Sequence, residues 1–167
     1  MTQYKLKHNF KQEGKNNSFT NYKVELALKK GGEKMAEFTI RSYQVKDLQP
    51  VVNLWNRSLK RDAISVTDFQ LKVLNDENFS EEGALIAEAD GKVVGFLLAL
   101  YRKVPITGVG LQEDTGWITI FFVDADYRKK GIATTMLKKA EEYLKSKGRK
   151  RVVVSTYVPY YFIPGVD

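Results

Sequence analysis

Residues 117–135 constrain the fold most, because three local patterns follow one another there without a gap. Residues 117–123 are apolar on both faces, which predicts a strand that is covered on both sides. Residues 124–127 predict a turn, and residues 128–133 form a short basic loop that contains Gly131. An amphipathic helix follows and is expected to end at Gly148. This strand, loop and helix unit predicts an α/β fold.

The loop before the helix has the chemistry of a phosphate site. The first turn of a helix leaves N–H groups without partners, and the helix dipole adds partial positive charge there. A glycine lets the backbone approach a ligand closely, and Arg128, Lys129 and Lys130 add full charges. A pyrophosphate suits this set of groups. The sequence has no P-loop pattern and no dinucleotide fingerprint that opens a helix, which excludes those two nucleotide-binding classes.

The chain before this unit predicts one strand, two helices and then antiparallel strands. Asp47 is the expected cap of the first helix, and a capping box that starts at Thr67 is expected to begin the second. Asp90 and Gly91 predict a two-residue hairpin turn. The predicted order is β-α-α-β-β-β-α-β, with strands over residues 38–43, 84–89, 92–101, 117–123 and 151–156.

The composition excludes several classes of protein. The 167 residues include no cysteine and one histidine, so we expect no disulfide scaffold, no thiolate nucleophile and no metal site. No apolar run reaches the roughly 20 residues that span a membrane, and no signal peptide is visible. We therefore expect a cytoplasmic protein without a membrane partner.

The net charge of +7 raises a nucleic-acid hypothesis, but its distribution argues against it. The excess lies in residues 1–34 and 128–167, whereas residues 35–127 hold nine basic and fourteen acidic residues. Most lysines of the C-terminal block alternate with apolar positions on one helix, as on a solvated face. We expect no nucleic-acid partner, and a basic nucleic-acid-binding module stays a remote alternative.

Residues 1–34 are predicted to be a disordered or mistranslated leader, because their apolar residues follow no sustained period. The run from Lys30 to Lys34 can be reverse-translated into a purine-rich ribosome-binding site directly before Met35. The hypothesis is that Met35 is the true start. The domain would then cover residues 35–167, whose 19 basic and 17 acidic residues leave a net charge of +2.

The loop from Arg128 to Ala133 resembles the [QR]-x-x-G-x-[GA] loop of the GNAT superfamily of acetyl-CoA-dependent N-acetyltransferases. The apolar strand before it, the helix and Val-rich strand after it, and the upstream order of elements are also similar to that family. The resemblance covers roughly residues 35–156 and implies a mixed, mostly antiparallel central sheet flanked by helices.

The resemblance implies a site for acetyl-CoA as co-substrate. Backbone groups of Phe121, Phe122 and Val123 would pair with the pantetheine arm as an added strand does. Backbone N–H groups from residue 129 to residue 134 would hold the pyrophosphate, and the basic side chains would add to this. The implied cofactor-binding residues are Phe121, Phe122, Val123, Arg128, Lys129, Lys130, Gly131, Ile132, Ala133 and Thr134.

The resemblance also implies direct acetyl transfer to a primary amine in a ternary complex. The N–H of Val123 would polarise the thioester carbonyl. Glu113 and Asp114 are candidate general bases, with plain loop charges as the alternative. Tyr160 is a candidate general acid, although two prolines nearby argue against the helix that carries this tyrosine in the family.

The family fold normally continues past this point with a helix and two strands. We therefore expect the chain to be the N-terminal part of a longer bacterial acetyltransferase, with its C-terminal elements missing. A non-catalytic CoA-binding domain or an inactive fragment is the alternative. The implied partner is a small-molecule or peptide amine, the acidic middle weakly favours a cationic acceptor, and self-association as a homodimer is left open.

Overall fold

The strands of the computed structural model, which describes residues 22–24 and 37–154, form one six-stranded sheet. The strands lie side by side in chain order, and each pair is antiparallel except β5 and β6, which are parallel. The prediction of a mixed, mostly antiparallel sheet is confirmed. The strands are β1 Tyr22–Val24, β2 Phe38–Ser42, β3 Ala84–Ala89, β4 Lys92–Leu100, β5 Thr115–Val123 and β6 Arg151–Val154.

Helices cover both faces of the sheet and enclose two apolar clusters. The helices are α1 Leu48–Ser58, α2 Val66–Phe69 with a π-helical extension Gln70–Leu74, and α3 Ile132–Ser146. Trp55 of α1 and Phe69 of α2 pack on one face, where Phe96 and Phe122 meet them. Met136 and other apolar residues of α3 pack on the opposite face. β5 is thus covered on both sides, as its apolar sequence predicted.

The hairpin and helix boundaries mostly follow the sequence signals, with two corrections. Asp90 and Gly91 have φ angles of 51° and 70°, as a primed hairpin turn requires. Ser65, not Thr67, caps α2, because its extended backbone lets its side chain accept the Asp68 N–H. Asp47 precedes α1, but its carboxylate binds the Arg41 guanidinium at 2.6 and 2.8 Å instead of capping the helix.

Part of the leading segment forms a strand. Tyr22–Val24 pairs with β2, with Tyr22 opposite Ile40, where the sequence predicted no regular structure. The rest of residues 1–34, the proposed start at Met35 and the C-terminal residues 155–167 lie outside the described residues. Among the residues that the structure describes, no helix combines the length and apolar character needed to cross a membrane.

Candidate active site

β5 changes its pairing with β4 near its middle. Leu98 lies opposite Ile120 and Ala99 opposite Ile118, so Thr119 is the extra residue of a β-bulge. The pairing of β5 with β6 is described as far as Ile118 opposite Val154, the last described residue. Within the described part of the chain, residues 119–123 have β4 as their only strand neighbour, and the edge of these residues that faces away from β4 is called the open edge.

The backbone groups of β5 alternate between β4 and this open edge. The Asp124 N–H donates to the Val94 carbonyl at 2.8 Å, and Phe122 lies opposite Phe96. Because successive N–H groups of a strand point in opposite directions, those of Phe121 and Val123 face the open edge. The sequence predicted that backbone groups of Phe122 would also face the open edge. In the structure, Phe122 pairs with Phe96, so its backbone groups face β4.

A tight loop connects the open edge to α3. Ala125–Tyr127 forms a short 3-10 turn, and the Asp124 carboxylate accepts the Asp126 N–H at 3.1 Å. Lys129 has φ +61° and Gly131 has φ +82°, so the chain turns twice through the left-handed region before α3 begins. Glycine is the residue that adopts this conformation without a steric cost. Gly131 occupies the N-cap position of α3.

The N-terminus of α3 presents free backbone donors beside this loop. The first hydrogen bond within the helix runs from the Thr135 N–H to the Gly131 carbonyl at 3.0 Å. The N–H groups of Ile132, Ala133 and Thr134 precede it and have no acceptor inside the helix. The Ile132 side chain is buried and anchors the helix to the sheet. Together with the helix dipole, these donors suit an anion.

The three basic side chains of the loop have different surroundings. The Arg128 Nε donates to the Val123 carbonyl at 3.1 Å. The Lys130 Nζ donates to the Asp126 carbonyl at 2.9 Å and lies 4.7 Å from the centre of the Tyr127 ring. The sequence predicted that all three side chains would add to the anion site, and the structure binds two of them to backbone carbonyls, Arg128 to the end of β5 and Lys130 to the turn after it. Both still place positive charge beside the α3 N-terminus.

A partly buried ion pair, which the sequence did not indicate, lies at the end of β5. The Asp124 carboxylate lies 2.5 Å from a guanidinium nitrogen of Arg57, at the end of α1. Burial acts to raise the pKa of Asp124, but the hydrogen bonds from Arg57 and the Asp126 N–H outweigh it, so this pKa is lowered. The two partners are 67 residues apart, so no local pattern could reveal the pair.

The candidate bases lie at the start of β5, at the end away from the loop. The Asp114 carbonyl accepts N–H groups from Lys150 and Arg151 at 2.7 and 2.9 Å, and the Glu113 carbonyl accepts a bond from Arg149. Both carboxylates belong to exposed residues. At about 3.3 Å per residue, Asp114 is roughly 16 Å along the strand from the bulge. The candidate acid Tyr160 lies outside the described residues.

Comparison with known proteins identifies the class. The sequence over residues 48–160, about two thirds of the chain, matches the Acetyltransferase (GNAT) family. An uncharacterized N-acetyltransferase of Methanocaldococcus jannaschii is 38% identical over 72 residues, which are 43% of this chain and 30% of that protein. The chain thus spans less than a third of the length of this curated relative.

Solved structures share the fold at low sequence identity. Ribosomal-protein-alanine N-acetyltransferase of Brucella melitensis superposes with a TM-score of 0.52 and 22% identity, over 73% of this chain and 82% of that one. The aminoglycoside N-acetyltransferase AAC(6')-Iy, in complex with CoA, gives 0.57 and 18% identity over 75% and 80%. The fold is the one that these N-acetyltransferase structures share. The chain belongs to the GNAT family of acetyltransferases.

Proposed function

We propose that this chain transfers the acetyl group of acetyl-CoA directly to the primary amine of a small molecule or peptide. The observation that carries the proposal is the position of the open edge of β5 directly before a left-handed glycine and a helix N-terminus. The N–H groups of Ile132, Ala133 and Thr134 are suited to the pyrophosphate. The open backbone groups of Phe121 are suited to the pantetheine arm, and the Val123 N–H is suited to its thioester end.

The proposed chemistry is one acyl transfer without a covalent enzyme intermediate. The neutral amine attacks the thioester carbon, the new C–N bond forms, the C–S bond breaks, and CoA leaves as a thiolate. The Val123 N–H faces the open edge and would stabilise the charge that develops on the carbonyl oxygen. Arg128 already binds the Val123 carbonyl, so the N–H is the group of this residue left for the substrate.

Proton transfers complete the proposal. A base removes one proton from the arriving ammonium, and the second proton that the nitrogen loses as the amide forms balances the proton taken up by the departing thiolate. Glu113 or Asp114 would accept the first proton through water, since their distance from the bulge excludes direct contact with an amine at the open edge. Tyr160 stays the predicted acid.

Steady-state turnover tests this function. We expect release of free CoA thiol to depend on an added amine, and mass spectrometry to show that amine 42 Da heavier, the mass of an acetyl group that replaces a proton. Initial rates against both substrates should give intersecting lines, as a ternary complex requires. Binding of acetyl-CoA without transfer to any amine would support the alternative, a non-catalytic CoA-binding domain.

A further inference from the structure

A cavity lies on the sheet face opposite α3, separate from the loop before α3. Its volume is about 270 Å³, and it opens between the connection that follows β4 and the start of β5 and β6. Trp117 and Val153 form apolar walls that belong to the cluster under α1 and α2. Its polar lining includes two guanidinium groups and no carboxylate: Arg102, Gln112, Thr115 and Arg151.

The first guanidinium is held rigidly. Arg102 is 4% exposed, its guanidinium carbon lies 4.9 Å from the centre of the Trp117 ring, and its Nε donates to the Gln112 side-chain oxygen at 3.0 Å. Gln112 has φ +49°, a conformation that a residue with a side chain adopts at a cost. The residue that orients the Arg102 guanidinium, Gln112, is therefore held in an unfavourable backbone conformation.

The second guanidinium comes from the neighbouring strand. Arg151 lies opposite Thr115 in the parallel pair, and its Nη2 donates to the Thr115 hydroxyl at 2.9 Å. The Thr115 hydroxyl in turn donates to the Asp114 carboxylate at 2.9 Å, outside the cavity lining. Each guanidinium offers five N–H donors in a plane, and such groups bind carboxylates in a bidentate manner.

The cavity and the open edge lie along the same strand, β5. Trp117 lines the cavity, and Val123 is the residue proposed to bind the thioester carbonyl. At about 3.3 Å per residue, roughly 20 Å separate these two residues along the strand. An acceptor held in the cavity must therefore be long enough to present its amine near Val123.

We propose that this cavity binds a carboxylate of the amine acceptor. This inference rests on the proposed acetyl transfer and narrows its substrate to a short peptide whose amine lies roughly 20 Å from its carboxylate. The net negative charge of residues 35–127 favoured a cationic acceptor. The lining of the cavity is positive although the net charge of residues 35–127 is negative, because the fold brings Arg102 and Arg151 together from positions 49 residues apart.

A matched pair of acceptors tests the proposal by turnover. A glycine- and serine-rich peptide of about seven residues spans the required distance when extended. Its forms with a free C-terminal carboxylate and with a C-terminal amide share the same N-terminal amine, and only the first carries the carboxylate. We expect kcat/KM for the carboxylate peptide to exceed that for the amide peptide at least tenfold. Arg151→Gln should remove most of this preference, whereas Lys145→Gln on the exposed side of α3 should preserve it. Equal values for the two peptides, or a preference for the amide, would overturn the proposal.

A binding measurement without acetyl-CoA separates this inference from the proposed function. Trp117 lines the cavity, and the second tryptophan, Trp55, is buried in the core. We expect the carboxylate peptide to change tryptophan fluorescence saturably, the amide peptide to have no effect, and Arg151→Gln to weaken binding of the carboxylate peptide at least tenfold. Peptide binding without transfer to any amine would count against acetyl transfer alone. Transfer to amines with no fluorescence response to the carboxylate peptide would count against the carboxylate site alone.

Discussion

The Nε of Arg128 donates a hydrogen bond to the carbonyl oxygen of Val123 at 3.1 Å. The first basic residue of the loop is therefore bound to the last residue of β5. This bond joins the open edge and the turn before α3 into one unit. It also makes Arg128 a positioning residue for the loop, in addition to a source of charge.

Arg128→Lys should consequently behave almost like Arg128→Gln. Lysine keeps the charge but cannot reproduce the planar Nε donor. We expect both variants to weaken acetyl-CoA binding about tenfold, or about 1.4 kcal/mol, by calorimetry. Full affinity in Arg128→Lys together with loss in Arg128→Gln would show that charge alone matters here.

The left-handed backbone at Lys129 predicts a stability difference between two substitutions. Glycine adopts φ +61° freely, whereas alanine keeps the clash of its Cβ. We expect Lys129→Gly to be about 1 kcal/mol more stable toward urea than Lys129→Ala. Since both remove the same charge, the comparison isolates the backbone. Equal stability of the two variants would argue against a left-handed Lys129.

The Arg57–Asp124 pair predicts a dependence of stability on pH. The pKa of Asp124 is lowered in the folded state, so its contribution is complete above its unfolded value of about 3.9 and is lost as the pH falls through the folded pKa. Arg57 is largely exposed, so the coupling at pH 7 should be about 1 kcal/mol.

A double-mutant cycle of Arg57→Gln and Asp124→Asn measures this coupling. We expect a clear interaction energy at pH 7 and none once Asp124 is protonated in strong acid. An interaction energy that is the same at both pH values would contradict an ionic pair.

Close packing of α3 on β5 makes Gly116 intolerant of a side chain. An added Cβ would lie 2.7 Å from a terminal carbon of Leu144, which is fully buried. Gly116→Ala should cost about 1 to 3 kcal/mol in the free energy of unfolding. The cost should shrink in a Leu144→Ala background, where the clashing carbons are absent. An unchanged cost there would locate the strain elsewhere.

The fold was largely predictable because its signals are local. Each of these patterns predicts the conformation of the few residues that form it: the alternating apolar residues, the Asp90–Gly91 turn and the glycine loop. The errors arose where two local signals competed. Ser65 and Thr67 both suit a helix cap, and the Asp47 carboxylate is used by the Arg41 guanidinium of β2 instead of by the N–H groups of α1.

From the sequence, only the part of the candidate site that is continuous along the chain could be predicted. Gly131 and the residues after it form one continuous loop and helix start, so their geometry follows from the sequence. The Arg57–Asp124 pair and the Arg102–Arg151 cavity depend on strand order and register, which bring distant residues together. The orientation of Phe122 also required the register with β4. Glu113, Asp114 and Tyr160 as catalytic groups, the cytoplasmic location and self-association stay predictions.

Calorimetry of acetyl-CoA with two glycine variants tests the central claim most directly. Gly131→Glu and Gly148→Glu place the same side chain at positive φ at opposite ends of α3, roughly 25 Å apart. Only the first adds a negative charge beside the proposed pyrophosphate. We predict that wild type and Gly148→Glu bind acetyl-CoA with similar affinity, whereas Gly131→Glu, still folded by circular dichroism, shows no detectable binding. Undiminished affinity in Gly131→Glu would contradict the account.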